Sequence, residues 1–343
     1  MSTVLLLATA GAVGLTVGFA PPKTDRSTLL AQGIAALVAL AAVAIAPSLD
    51  LVILIVLALA GLQAVIAGRR SIVARLRAPT VACVLLGAGL AFTRFEGSSR
   101  LPELAAVLIA TGVAAATGVL PYIHEFDQEE AAAPSTIAWI GFLSPVLVVA
   151  VLSRVYTLIP TAGAPLGAIL IGLGLVNVIW GSIAAWRTEE GARAWHYSFM
   201  ADWGLALCGF GMQVADGRSA ALLILCGILL GRLPLYTWSR PALAERTQNV
   251  RPVNLLAAAM LAGAAPFAGF AARVILLRGA TVVYWPLALV LAVGLLLWLP
   301  SSLRLGKSLG LPRGRQAIGI AVALIINAAV GFYPQPVLSL AGL

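Results

Sequence analysis

Apolar residues run along this chain in long blocks, as in Thr28 to Pro47, Leu51 to Ala67 and Pro165 to Trp186, and not in period-two alternation. Each block is close to the ~20 residues that a helix needs to cross the hydrocarbon of a bilayer. The blocks are about twice the length of a barrel strand, which excludes a transmembrane β-barrel and leaves helices as the way to satisfy every backbone group in lipid. The pattern predicts an all-α, polytopic membrane protein with about twelve transmembrane helices, near 3–20, 28–47, 51–67, 80–94, 101–121, 135–156, 163–186, 197–214, 219–238, 253–277, 281–300 and 316–336. The first block could be taken for a secretory signal. It has no preceding Lys or Arg, however, and Pro21 follows Ala20 where cleavage would fall, so it is expected to remain as a helix.

Composition agrees: 61% of the 343 residues are apolar and 10% charged, whereas soluble domains carry about 25% charged residues. Cys83, Cys208 and Cys226 lie inside apolar blocks without CxxC spacing, as buried thiols do. With no glycine-rich phosphate loop and no His/Cys cluster, the chain by itself is expected to hold no cofactor and no metal, and it shows no catalytic site.

The net charge of +9 is distributed by loop. Odd-numbered loops hold fifteen basic residues, Lys23, Arg26, Arg69, Arg70, Arg75, Arg77, Arg187, Arg193, Arg240, Arg246, Arg251, Arg304, Lys307, Arg313 and Arg315. Even-numbered loops hold four, Arg94, Arg100, Arg218 and Arg278. The positive-inside bias then puts the odd loops in the cytoplasm and both termini on the outer face of a prokaryotic-type cytoplasmic membrane. The basic excess is thus topological, and no nucleic-acid partner is implied. One cytoplasmic loop is instead acidic, with His124, Glu125, Asp127, Glu129 and Glu130; it suits a basic partner or proton collection, or is a solvated turn.

Charge inside the spans is the remaining candidate chemistry. Arg154, Arg232 and Arg273 fall within predicted helices, and Asp202 is the only mid-span carboxylate, the natural partner of Arg232 or Arg273. A mid-membrane charge costs at least ~2.5–3.5 kcal/mol, so an unpaired one is not expected. The pair reads either as a structural ion pair or as a functional polar axis. Asp202, Arg232, Arg273, His124, Arg154 and Glu103 are the candidates for an ion pathway or a buried charge. Pro145, Pro234 and Pro266 are the candidate helix breaks, since a proline removes a helix hydrogen bond and freed carbonyls bind ions or water.

Several segments, in order, resemble the antiporter-like membrane subunits of respiratory complex I, of membrane-bound hydrogenases and of multisubunit cation/proton antiporters, most of all the complex I subunit beside the quinone arm. They are Leu57-Ala58-Leu59, Gly68-Arg69-Arg70 and Val84 to Leu90; Leu120-Pro121-x-x-His124 with Ala133-Pro134-Ser135, similar to LP-x-x-H…AP-T; His196-Tyr197-Ser198; and Ala264 to Phe270, similar to G-x-P-P-x-x-G-F. Together they cover most of residues 50–280. The resemblance implies inverted five-helix repeats with broken helices, here shortened by two helices at the N-terminal side. It implies accessory helices over 1–50, a partial first repeat over 51–186, a partial second over 197–300, and a loop and last helix over 301–343.

The family moves protons through glutamate and lysine residues, and this sequence departs from that set. The glutamate position falls on Ala58 and the broken-helix lysine on Val146 or Leu147, while the next helix offers only Asn177 and Ser182. Arg232, in Gly231-Arg232-Leu233-Pro234-Leu235, and Arg273 stand where the resemblance places lysines. Arginine stays protonated where a buried lysine can titrate. The resemblance therefore implies a scaffold or coupling subunit, degenerate in its proton path and without a catalytic site of its own. Its partners would be other polytopic subunits and lipids. The alternative is an active proton or Na⁺ translocating subunit of a redox pump, an antiporter or an inorganic-carbon uptake complex.

Overall fold

The structure, a computed structural model, describes residues 1–20, 25–66, 72–94, 101–123, 143–158, 160–245, 251–312 and 314–343. Five helices form the first part: α1 (Ser2–Gly18), α2 (Arg26–Ile45), α3 (Leu49–Ile66), α4 (Ile72–Arg94) and α5 (Leu101–Thr117). Then come α6 (Ser144–Leu158), α7 (Pro160–Arg187), α8 (Gly191–Gly211) and α9 (Ala215–Gly227). A π-turn (Ile228–Arg232) leads into α10 (Leu233–Glu245), followed by α11 (Pro252–Leu261), α12 (Ala268–Val283), α13 (Trp285–Lys307), α14 (Arg315–Phe332) and the short α15 (Gln335–Leu340). No strand occurs among the described residues.

Seven helical segments are each long and apolar enough to cross a membrane, and shorter apolar helices accompany them, so the protein is multi-pass. The N-terminal amine of Met1 donates to the Ala341 carbonyl at 3.1 Å. Both termini therefore lie on one face of the bundle, which requires an even number of crossings. Local signals set several ends. Asp25 caps α2, accepting from the backbone amides of Ser27 and Thr28, and their hydroxyls help hold its carboxyl down at about 2. α4 begins several residues earlier than expected, taking in Arg75 and Arg77.

Packing follows small residues. Gly167, Gly174 and Gly181 recur every seven residues along α7, and a Cβ at Gly174 would stand 2.6 Å from the Gly204 carbonyl oxygen of α8. Helices in lipid gain little from hydrophobic exclusion, so close backbone approach along such stripes holds them together. The span from α9 through α10 sits at the centre. Of its most apolar stretch of 18 residues 83% are buried, against 22–39% for the corresponding stretches of the other long spans. It carries Arg232, which is only 3% exposed.

Proline shapes that central span. Pro234 has no N–H to give the Leu230 carbonyl, so the ladder widens into a π-turn. Nδ2 of Asn327, from α14, reaches the freed Leu230 carbonyl at 3.5 Å. At Pro266 the expected single span over 253–277 is interrupted. α11 ends at Leu261 and α12 starts at Ala268, with Gly263 at φ 63° between them. Pro145 is the second residue of α6 and follows Leu143, which is π-helical; the residues before Leu143, where a break at Pro145 would be seen, lie outside the described residues.

Candidate functional site

Two helix ends are built alike. α5 runs into Gly118-Val119-Leu120-Pro121 and α11 into Gly263-Ala264-Ala265-Pro266, with glycine at φ 69° and 63° respectively and a cis peptide before each proline. The shared Gly-x-x-Pro spacing is the sequence signal of this repeated end. Each end leaves backbone groups outside the α-ladder, and they must find partners because lipid offers none.

At the first end the partner is neutral. Asn177 of α7, fully buried, accepts from the Leu120 amide at 2.8 Å and donates to the Leu120 carbonyl at 3.3 Å and the Leu173 carbonyl at 2.8 Å. Ser144 donates to the Ala116 carbonyl at 2.6 Å. Asn177→Leu orphans both Leu120 groups, at about 1–3 kcal/mol for each buried group. A lower unfolding midpoint in detergent is the expected result, with Asn177→Gln recovering part of it.

At the second end the partner is a charge. The Leu261 carbonyl, left free at the close of α11, accepts from Trp298 Nε1 at 2.9 Å and from an Arg232 Nη at 3.4 Å. Nε of Arg232 pairs with the Asp202 carboxylate at 2.5 Å, and its other Nη donates to the Ser198 hydroxyl at 2.7 Å. The guanidinium lies 4.8 Å from the Trp298 ring centre. Ser198 and Asp202 are four apart on α8 and so present to one side of that helix. The helix dipole adds to the arrangement, because the C-terminal end of α11 is its negative end and faces the guanidinium.

Arg273, two turns into α12, brings a second guanidinium 6.0 Å from the same Trp298 ring. It fits because residue 263 is glycine, where a Cβ would stand 2.5 Å from the Arg273 Cζ. Asp202, Arg232, Arg273, Gly263, Gly269 and Asn327 line a cavity of about 40 Å³, with apolar side chains completing the wall. Water needs roughly 10–15 Å³ of such space, so the cavity has room for a few small molecules.

The structure thus brings Asp202, Arg232 and Arg273 together. It does not bring in the other candidates. Arg154 is half-buried apart from that cluster and donates to the carbonyls of Ala46 and Ser48 just beyond the C-terminal end of α2. Glu103 is exposed in the first turn of α5 and is not a buried charge; a carboxylate there complements the positive helix end. His124 lies outside the described residues. Trp298, Asn327 and the Leu261 carbonyl belong to the site and carried no sequence signal of their own; Ser198 belongs to it too and was marked only by the His196-Tyr197-Ser198 resemblance and by its i, i+4 spacing to Asp202.

No protein-family model matches the chain. NADH-quinone oxidoreductase subunit M of Mycobacterium tuberculosis is 25% identical over 233 residues, covering 57% of this chain and 42% of that protein. The chain therefore spans less than half the length of this curated relative. Among solved structures, the Mrp complex from Dietzia sp. DQ12-45-1b superposes with a TM-score of 0.75 at 14% identity, over 98% of this chain and 43% of the matched chain. Respiratory complex I from Thermus thermophilus with bound NADH superposes with a TM-score of 0.64 at 14% identity, over 98% of this chain and 96% of the matched one. The fold is that of a polytopic helical membrane protein. More particularly, it is similar to the fold of membrane chains of the Mrp complex and of complex I, the group that the sequence resemblance had also indicated.

Proposed function

We propose that the chain is an antiporter-like subunit of a complex-I-type or cation/proton-antiporter assembly whose own proton path is interrupted, and that it serves as scaffold and coupling element between neighbouring polytopic subunits. The observation that carries this reading is the identity of the charges on its buried axis. Arg232 and Arg273 hold a permanent charge and release no proton in a transport cycle, and the first helix end is held by the neutral Asn177. Val146 and Leu147 are buried and apolar, and Ala58 is exposed on the outside of α3, so none of the positions the resemblance aligns with the family's first-half titratable groups can relay a proton.

The test is proton uptake by proteoliposomes holding the purified assembly. Asp202→Asn should leave uptake per assembled complex unchanged while reducing the amount assembled. Intact assembly with a clear fall in uptake would make the axis a working path and overturn the reading.

The charge asymmetry supports outer-facing termini. Tyr284, Trp285, Phe332 and Tyr333, at the α12–α13 turn and the close of α14, are exposed aromatics of the kind that favour a membrane interface. Leu343→Cys should react with an impermeant thiol reagent in intact cells and Lys307→Cys only after permeabilisation. Labelling of both from one side would refute this topology.

A further inference from the structure

We propose that the cavity between α8, the π-turn and the α11–α12 break is a binding site for a small monovalent anion of halide size. The argument starts from charge. Two guanidiniums and one carboxylate line the cavity, and no other charged side chain lines it among the described residues. Asp202 is already engaged by Arg232, and Arg273 makes no hydrogen bond among the described residues, its ring contact with Trp298 apart. The lining thus carries one positive charge more than it carries negative, with the single Asp202 carboxylate acting on both guanidiniums, and inside a bundle such an excess is disfavoured.

Geometry points the same way. Gly269, in the first turn of α12, borders the cavity, so the positive end of that helix lies beside it. A Na⁺ or other metal cation would meet two permanent positive charges and a carboxylate already paired, so the site selects against cations. At about 40 Å³ the space excludes a lipid phosphate with its glycerol and suits a halide, with or without one water. The inference rests on the permanent charge of the two arginines, as the reading above does, but not on the chain's being a scaffold.

Trp298 supplies the readout, because both guanidiniums lie against its ring. Iodide should quench the Trp298 fluorescence of the detergent-purified protein, taken as the difference from Trp298→Phe, along a curve that saturates. Chloride should compete and gluconate, at the same ionic strength, should not. Arg273→Gln should weaken the saturable component at least about tenfold, and Arg273→Lys should retain more of it than Arg273→Gln. The assembled amount of each variant is measured alongside, so that loss of binding is told apart from loss of the protein. Linear, non-saturating quenching that is the same in the wild type and in Arg273→Gln would overturn the proposal, whatever becomes of the scaffold reading.

Discussion

Arg232→Ala is expected to remove most of the assembled protein from the membrane. The guanidinium joins three segments, the α8 face through Ser198 and Asp202, the end of α11 through the Leu261 carbonyl, and α13 through the Trp298 ring. Removing it strands the Asp202 carboxylate inside the bundle, and breaking one half of a buried pair costs about 3–5 kcal/mol. Arg232→Lys should recover only part of the loss. An ammonium is a compact charge that cannot reach a carboxylate, a hydroxyl and a carbonyl from one planar fork while stacking on an indole. Charge alone would have made lysine sufficient, and the geometry shows why it is not. Arg232→Leu combined with Asp202→Leu should restore more than either single change, since no carboxylate is then stranded, the cavity keeps the same net charge of +1 through Arg273, and Trp298 still satisfies Leu261. The quantity to measure is assembled protein after gentle detergent extraction. An Arg232→Ala protein recovered in wild-type amount would show that the pair contributes nothing to the fold.

Gly331→Ala is the second large effect. In α14 a Cβ at this position would stand 2.0 Å from the Pro266 carbonyl oxygen and 2.4 Å from the Phe267 carbonyl carbon. Both atoms belong to the backbone of the break, so no side chain can rotate away, and α14 or the break must move. Overpacking of this kind costs about 1–3 kcal/mol and occasionally more. Here the displaced segment also follows directly on α11, whose last carbonyl, Leu261, is the one that Arg232 and Trp298 use. The expected result is a lower unfolding midpoint together with weaker assembly. Gly172→Ala, in α7 with nothing within 4 Å of the added carbon, serves as the control and should be neutral or slightly stabilising. Equal behaviour of the two variants would mean that α14 does not approach the break as closely as described.

The amino-acid sequence by itself determined the class and the frame. Block length dictated helices in lipid, the asymmetry of Lys and Arg along the loops gave a topology with an even number of crossings, and the contact between Met1 and Ala341 agrees with that parity. It also marked Asp202, Arg232 and Arg273 as the charges to watch, because an ionisable side chain inside an apolar block stands out whatever the fold. Pro266 was legible as a break for a similar reason, since the missing N–H is a property of the residue alone. What the sequence did not decide was direction. Whether Arg154 faces the axis or a neighbouring helix end, and whether Glu103 is inside or outside, depends on the rotation of each helix about its axis. That rotation is set by glycine stripes and side-chain volumes on the partner helices. Trp298 and the Leu261 carbonyl joined the site for the same reason. An indole in an apolar block looks like any other apolar residue, and a backbone carbonyl has no identity at all, until tertiary packing lays the one beside a guanidinium and leaves the other free at a helix end.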